Sequence, residues 1–468
     1  MNRMQASSPP LRLAFYGDDF TGSTDALEVL AFAGLRCALF LDVPDEATLR
    51  ELGPFDAIGV AGSTRSMSPA ELDAHLPAVF SRLAALPVPL VHYKVCSTFD
   101  SAPGVGSIGR VMDIARSAFG AGTIPIVAAT PALARYCVFG HLFARSGTDG
   151  LVYRLDRHPI MRAHPVTPMN ESDLREHLKA QTAQKIERYT LPLFLQPQDD
   201  RDAQLDRLAA DADAVLFDGT EAAHLTETGR LLERMARGRR MPLFAVGPSG
   251  LEYAMTQWWR QSDPSQAQPG AASSYDRFEA VPQVLAISAS ASALSESQIR
   301  AAIDGGFAEI AVDARALVTG GAQQVQALAA RTVQALRTGR SVILHTALGN
   351  ADGRIRALVD ALVAQGMPPD TARATGGRQL GACLGQVTDA VLRAVPLRRL
   401  VLSGGDTSSL ITQHLAPQAL QVAARLAPGA PLCRVLSTAP HLRSLEIALK
   451  GGQMGGKDYF IQALRGTA

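Results

Sequence analysis

Short, uninterrupted apolar runs recur along this chain, and nearly every one stops at glycine or a small polar residue before an amphipathic stretch begins. In the first half they lie at 11–16, 37–41, 56–61, 88–95, 124–129, 214–217 and 242–246. In the second half they lie at 284–287, 310–312, 342–345, 400–402 and 444–449. A run of about four to eight apolar residues without alternation reads as a strand buried on both faces. Such strands belong to parallel sheets covered by helices. The stretches between them supply the helices: Ala26, Leu27, Leu30, Ala31 and Ala33 keep helical spacing, and Gly34 follows as a natural terminator. Ser68-Pro-Ala-Glu71 and Ser295-Glu-Ser-Gln298 read as capping boxes, the first with Pro at the first helical position. Further helices are expected from Val111, from Asn170 and over 323–336, 357–364 and 381–394. The first strand, its helix and the second strand read as a parallel βαβ unit. Residues 131–168 read as one long irregular stretch.

At 468 residues the chain is too long for one ordinary core. Residues 262–280 are rich in Ser, Pro, Gln, Ala and Gly and have no apolar period, which marks a linker. The expected architecture is therefore α/β with two domains, each a mostly parallel sheet flanked by helices: 1–261, a linker over 262–282, and 283–468. The formal net charge of +1 argues against a nucleic-acid or membrane-surface protein, whose footprint is a basic excess. No apolar run approaches the roughly 18 residues of a membrane span. Five scattered cysteines form no CxxC pair, and the first ten residues carry no signal-peptide pattern, so the thiols are expected reduced in a cytoplasmic protein.

In an open parallel sheet, ligands bind outside the carboxyl ends of the strands, and that is where the polar clusters fall. Gly17-Asp18-Asp19 places two adjacent carboxylates at a helix start. One serves as an N-cap; two are more than a cap needs, and hydroxyl or metal binding becomes a reading beside the capping one. Lys94, Ser97 and Asp100 surround another strand end, as a carboxylate and hydroxyl site or as a snorkelling Lys beside an ordinary turn. Cys96 reads as a small buried hydrophobe, with a Cys96–His92 pair as the lesser alternative. His158 and His164 lack an i, i+4 partner, so no zinc site is read there and no metal ligands are assigned.

The second half carries three strand-end loops suited to phosphate: Ser288–Ser292 with its serines, Gly404-Gly405-Asp406-Thr407, and the Gly451–Gly456 loop. Glycines let the backbone approach an anion, and a helix N-terminus points free N–H groups at it. Three such turns favour a nucleotide over a single anion. Asp406 repels phosphate and makes sense if it handles a hydroxyl proton or a Mg²⁺ beside it; the alternative is a capped αβ turn. There is no GxxxxGK[ST] and no GxGxxG after the first strand, so neither a P-loop nor a dinucleotide fingerprint is present.

Five motifs in order, Gly17-Asp-Asp-Phe-Thr-Gly22, Tyr93-Lys-Val-Cys-Ser-Thr-Phe-Asp-Ser101, His164-Pro-Val-Thr-Pro-Met169, Ser403-Gly-Gly-Asp-Thr-Ser408 and Lys450-Gly-Gly-Gln-Met-Gly-Gly456, together resemble the four-carbon acid sugar kinase family over nearly the whole chain. The resemblance implies an N-terminal domain that binds a sugar acid, a C-terminal domain that binds ATP, and an active site in the interdomain cleft. It implies acid-binding roles for Asp18, Asp19, Lys94, Ser97, Arg135 and the His164 segment. It implies ATP-binding roles for Ser288 or Ser290, for Gly404 to Thr407, and for the loop around Gly452 and Gly455. Threonate-type members carry an Asp-Ser-Thr-Leu-Arg-Gly-like run; here it is Cys96-Ser-Thr-Phe-Asp-Ser101, which moves the chain toward the branch acting on 3-oxo acids, 3-oxo-isoapionate or 3-oxo-tetronate.

The expected activity is an ATP- and Mg²⁺-dependent kinase acting on a hydroxyl of a short 3-oxo sugar acid, with a threonate or erythronate kinase as the alternative. Asp406 is the expected base and Asp19 its rival. Lys94 and Arg135 would neutralise the carboxylate, and Asp18, Asp19, Ser97 and Asp100 would hold hydroxyls. The expected partners are the acid and ATP, with no nucleic acid and no membrane; a homodimer is left open. A non-catalytic acid sensor and a dinucleotide-dependent oxidoreductase are the rivals from other classes.

Overall fold

A computed structural model describes residues 11–147, 149–164, 166–264 and 272–467, so the stretch 265–271 of the expected linker, and Pro165 of the His164 segment, lie outside the described residues. The chain divides into two compact units. The first holds the described residues to Cys37 and those from Asp42 to Pro264; the second holds Ala38–Leu41 and the described residues from Ala272 on. Among the described residues no helix is long and apolar enough to cross a membrane.

In chain order the first part contains β1 (Leu13–Gly17), α1 (Phe20–Phe32), β2 (Cys37–Phe40), α2 (Glu46–Leu52), β3 (Ala57–Ala61), α3 (Pro69–Ala84), β4 (Leu90–Lys94), α4 (Ile108–Phe119) and β5 (Ile124–Val127). It continues through β6 (Arg135–Val138), β7 (His141–Arg145), β8 (Val152–Arg154), α5 (Leu174–Lys179), β9 (Ile186–Tyr189), α6 (Leu191–Phe194), α7 (Gln198–Asp211), β10 (Ala214–Phe217), α8 (Ala222–Ala236), β11 (Leu243–Gly247) and α9 (Gly250–Ser262). The sheet of the first unit is parallel, in the order β3-β1-β4-β11-β5-β10-β9. Every residue of β1, β3, β4 and β11 is buried, as strands covered on both faces must be. The chain runs from β1 to β3 on one side and to β4 on the other, so the strand order reverses between β1 and β4. Ligands of open sheets sit at that reversal.

The second part contains β12 (Leu285–Ser288), α10 (Ala293–Asp304), β13 (Ala308–Ala311), α11 (Ala314–Thr319), α12 (Gly321–Arg337), β14 (Val342–His345), α13 (Arg354–Ala364) and α14 (Pro369–Ala394). It ends with β15 (Arg399–Ser403), α15 (Gly405–Leu415), β16 (Ala419–Ala427), β17 (Ala430–Leu436), β18 (Glu446–Lys450) and α16 (Tyr459–Arg465). Strands β13-β14-β12-β15-β18 are parallel, and β17 and β16 follow as antiparallel neighbours. Here too the order reverses beside the first strand, between β12 and β15. Both units are α/β with a mostly parallel sheet flanked by helices.

The structure corrects three local expectations and redirects one. The second strand of the expected βαβ unit, β2, groups with the second unit, where it pairs antiparallel with β16 through Leu39–Leu420 and Phe40–Ala419. A buried apolar run announces a strand without naming its neighbour. Residues 131–168 are not irregular: β6, β7 and β8 form an antiparallel three-stranded sheet. The helix expected at Asn170 starts at Leu174, capped by Asp173 through the Arg175 amide. The second capping box moves three residues back: Ser292 caps α10 by accepting from the Ser295 amide, and Gln298 reaches across to the last glycine loop instead. The first capping box is present as read, with Ser68 and Glu71 each accepting the other's backbone amide.

Candidate functional site

At the strand reversal of the first unit, β1 ends and α1 begins through Gly17, Asp18 and Asp19. A Cβ on Gly17 would lie 1.9 Å from Ser23 Oγ, so the turn needs glycine. The Asp18 amide donates to the Lys94 carbonyl at 2.9 Å, which ties the ends of β1 and β4 together. Asp19 caps α1 by accepting from the Gly22 amide at 2.9 Å. Between the two carboxylates sits Arg65, just past the end of β3. Its Nε and Nη2 bond Asp18 at 3.1 and 2.6 Å, and Nη2 also bonds Asp19 at 2.8 Å. This is a bidentate, charge-assisted arrangement. Asp18 is 3% exposed. Burial raises its pKa, with Arg65 pulling the other way. Burial lowers that of Arg65, but the two carboxylates more than offset this and hold it well above the ordinary value.

Lys94 closes β4 and is buried; its Nζ lies 3.7 Å from Asp25 Oδ2 and donates to the Val95 carbonyl. Asp25 projects from α1, and burial raises its pKa while Lys94 lowers it. A Cβ on Gly22 would come 2.3 Å from Asp19 Oδ1 and 3.0 Å from Lys94 Nζ, so that glycine keeps the space between cation and carboxylate open. Two residues back on the same strand face, His92 is fully buried, with Nδ1 2.6 Å from Glu252 Oε1 and Nε2 2.7 Å from the Gly247 carbonyl.

The loop after β4 is held from several sides. The Val95 amide donates to the Gly247 carbonyl. Phe99 is buried with a φ of +55°, a conformation that side chains rarely adopt and that packing must enforce. Thr98 Oγ1 donates to Asp100 at 2.7 Å, and Ser101 Oγ lies 2.8 Å from His177 Nε2 and accepts from Gln181 at 3.0 Å. Ser97 lies half-buried between them. Cys96 is no activated nucleophile: burial pushes its thiol up to about 11, and both ring nitrogens of His92 are committed elsewhere. The Cys96–His92 alternative is set aside.

Arg135 opens β6. Its Nη1 donates to the Leu133 carbonyl at 2.8 Å, and its buried Nε has no partner among the described residues. Burial lowers its pKa, while Cys96 and Asp100 lie near enough for their charges to raise it. His164 is spent locally, its Nδ1 accepting from the Thr167 amide and hydroxyl at 3.1 and 3.0 Å. Asp18, Asp19 and Lys94 are thus brought together, with Asp100 and Arg135 near Cys96, whereas the bonds of His164 stay within its own turn. Arg65 and Asp25 are the residues that sequence reasoning missed. Arg65 follows a strand end, so the same carboxyl-end rule applied to β3 finds it.

In the second unit three loops meet at the strand reversal. Gly404 caps α15 with a φ of +115°, and a Cβ there would sit 3.1 Å from the Ala289 carbonyl group. Its amide donates to the Lys450 carbonyl at 2.9 Å. A Cβ on Gly452 would lie 2.2 Å from Ser290 Oγ. The Gly452 carbonyl accepts from Ser292 and Ser295 hydroxyls at 2.6 and 3.2 Å. Gln298 Nε2 donates to the carbonyls of Met454 and Gly456 at 3.0 and 2.9 Å. Gly455 has a φ of +80° and packs on the Tyr459 ring. The alanines of the Ser288–Ser292 loop therefore leave room for the same convergence. Gly405 and Thr407 are half-buried and Asp406 is exposed on the first turn of α15.

Three hydroxyls at this rim, on Ser288, Ser403 and Ser408, are buried without a hydrogen-bond partner among the described residues. Buried polar groups are nearly always paired, so these hydroxyls are free to serve a ligand with oxygen acceptors. A nucleotide phosphate fits this donor set. Among the described residues no group of three or more His, Cys, Asp or Glu is placed to hold a metal ion.

Comparison with known proteins matches residues 13–255 to a sugar-binding N-terminal domain and residues 285–460 to a nucleotide-binding C-terminal domain. The chain is 41% identical to the 3-oxo-isoapionate kinase of Paraburkholderia graminis over 96% of this chain and 93% of that one. It is 30% identical to the 3-oxo-tetronate kinase of Burkholderia multivorans over 99% of each chain, and 29% identical to that of Cupriavidus necator over 97% and 96%. Solved structures from Salmonella typhimurium LT2 and Haemophilus influenzae share the fold, with TM-scores of 0.74 and 0.67, identities of 23% and 21%, and coverage of 97% and 96% of this chain and 99% and 98% of theirs.

Proposed function

The chain belongs to the four-carbon acid sugar kinase family, and from that premise we propose that it transfers the γ-phosphoryl group of ATP to a hydroxyl of a 3-oxo sugar acid of the isoapionate type. The observation that carries the reading is the convergence of three glycine and serine loops around orphaned hydroxyls in the second unit. A protein that only senses an acid has no use for a second anion cradle, and the absence of a dinucleotide fingerprint disfavours redox chemistry.

The first rim contains three cations, and their partners rank them. Arg65 is claimed by two carboxylates and Lys94 by Asp25, whereas among the described residues Arg135 is held only by carbonyls. Arg135 is therefore the first choice for the substrate carboxylate, with Lys94 beside it. Asp18, Asp19, Ser97 and Asp100 would orient hydroxyls, and the His164 turn would border the acid. In the second unit Ser288, Ser290, Gly404, Gly405, Thr407, Gly452 and Gly455 would hold the phosphates. Mg²⁺ would arrive on the nucleotide phosphates, where it offsets charge on the β- and γ-oxygens.

In the reaction the acceptor oxygen forms a bond to the γ-phosphorus, the bond to the β–γ bridging oxygen breaks, and the hydroxyl proton passes to a carboxylate. Asp406 is the better base. Asp19 already accepts hydrogen bonds from a guanidinium and a helix amide, so its oxygens are engaged, while Asp406 is exposed beside the cradle.

The test is incubation with Mg-ATP and a panel of 3-oxo-isoapionate, 3-oxo-tetronate, threonate and erythronate, reading ADP. The fastest release is expected with a 3-oxo acid. No release with any acid, from protein that binds ATP, removes the kinase reading.

A further inference from the structure

We infer that Lys450 binds a phosphate group of the nucleotide, together with the hydroxyls of Ser288 and Ser403, an inference that rests on the nucleotide reading of this rim. Ser288, Ser403 and Lys450 are the last residues of three neighbouring parallel strands. The register pairs Ser288 with Ser403 and Ser403 with Lys450. Residues paired in this way point to the same face of the sheet, so the ammonium and the two hydroxyls form one transverse row. All three are buried, at 0, 1 and 0% exposure for Ser288, Ser403 and Lys450.

The row lacks an anion. Both hydroxyls are without a hydrogen-bond partner among the described residues. Lys450 Nζ donates to the Gly451 carbonyl at 3.2 Å and lies 5.6 Å from the centre of the Tyr459 ring, and no carboxylate among the described residues pairs with it. The charged side chains on the surrounding elements are engaged elsewhere or face solvent. His345, in the same row beyond Ser288, bonds Glu309 and Arg354; Glu446, at the far end of β18, bonds Arg399; Glu296 on α10 bonds Arg300; Asp406 and Asp458 are exposed. A buried cation without a counter-charge is costly. Burial accordingly lowers the pKa of Lys450 to about 8. The position is also the hub of the loops. The Lys450 carbonyl accepts the Gly404 amide, and Gly451 and Gly452 follow directly, against Ser290. The glycine loops offer partial charges; Lys450 offers the full one that a phosphate needs.

Calorimetric titration of the native protein and Lys450→Met with ATP, ADP, adenosine and tripolyphosphate tests this. ATP and ADP affinity is expected to fall at least tenfold in the variant while adenosine affinity holds. An equal loss for adenosine assigns Lys450 to bracing the loop and overturns the inference, as does an unchanged ATP affinity. In both cases ATP binding by the native protein leaves the kinase reading standing. Failure of the native protein to bind any nucleotide removes that reading and this inference together, unless tripolyphosphate binds natively and not to the variant, which keeps the phosphate site. The native protein alone supplies a second arm. A phosphate that raises the pKa of Lys450 takes up about half a proton near pH 8, so ATP affinity is full below pH 8 and falls as pH rises above it, while adenosine affinity stays flat. A flat ATP profile from pH 7 to 10.5 contradicts the inference without recourse to any variant.

Discussion

Lys94 and Lys450 each close a buried strand beside the point where a parallel sheet reverses its order, and their surroundings are opposite. Lys94 has Asp25 at 3.7 Å and lies near enough to Asp18 for their charges to interact, and Arg65 bridges Asp18 and Asp19. Lys450 faces two unpartnered hydroxyls, a carbonyl and an aromatic ring. The first unit has its counter-charges built in, whereas no carboxylate among the described residues pairs with Lys450. A compensated buried charge is part of what holds its surroundings in place. An uncompensated one is kept at the expense of stability, a usual mark of a binding site.

Removing each lysine tests that contrast, and the larger effect belongs to the first. Lys94→Met leaves the largely covered Asp25 carboxylate without its cation, and the unfolding free energy from urea titration is expected to fall by about 3 kcal/mol. A midpoint within error of the native value would show that Lys94 is not holding Asp25. The two candidate bases give the next effect. Asp406→Asn is expected to lower kcat by about 10²- to 10⁴-fold with no change in melting temperature, because the side chain is exposed. Asp19→Asn is expected to cost about 1 kcal/mol of stability, through its cap and its Arg65 bond, and less in kcat. The reverse order of the two kcat values moves the base to Asp19. The smallest effect is opposite in sign to the first. Lys450→Met is expected to raise the melting temperature of the ligand-free protein by a few degrees, about 1 kcal/mol, at pH 7. The folded pKa of about 8 lies below the ordinary 10.5, so the cost of the buried charge is complete below pH 8 and fades between pH 8 and 10.5. The advantage of the variant should shrink over the same interval. A variant less stable than the native protein at pH 7 would erase the contrast.

What the sequence made legible follows from the same physics. Strands buried on both faces are short unbroken apolar runs, and the residues just past them are freed from packing, so Asp18, Asp19, Lys94 and the loops at Ser288, Gly404 and Gly452 stood out. Arg65 did not, because a single arginine after β3 looks like any exposed cation until the fold folds it back onto Asp18. Asp25 lies within a helix, where spacing alone does not separate a solvent-facing carboxylate from one turned toward a buried lysine. The β16–β17 hairpin was hidden by composition: its strands are rich in alanine and leucine, which favour helix, and only Pro428-Gly429 between them marks the turn. The β16 partner of β2 lies about 380 residues away, at 419–420, and no local pattern encodes a pairing at that distance.

The most direct test of phosphoryl transfer is ³¹P NMR of the native protein with Mg-ATP and 3-oxo-isoapionate. A new phosphomonoester resonance is expected to grow in step with ADP, one for one. ADP accompanied by inorganic phosphate alone would contradict it, because the γ-phosphoryl group would then be passing to water and not to the acid.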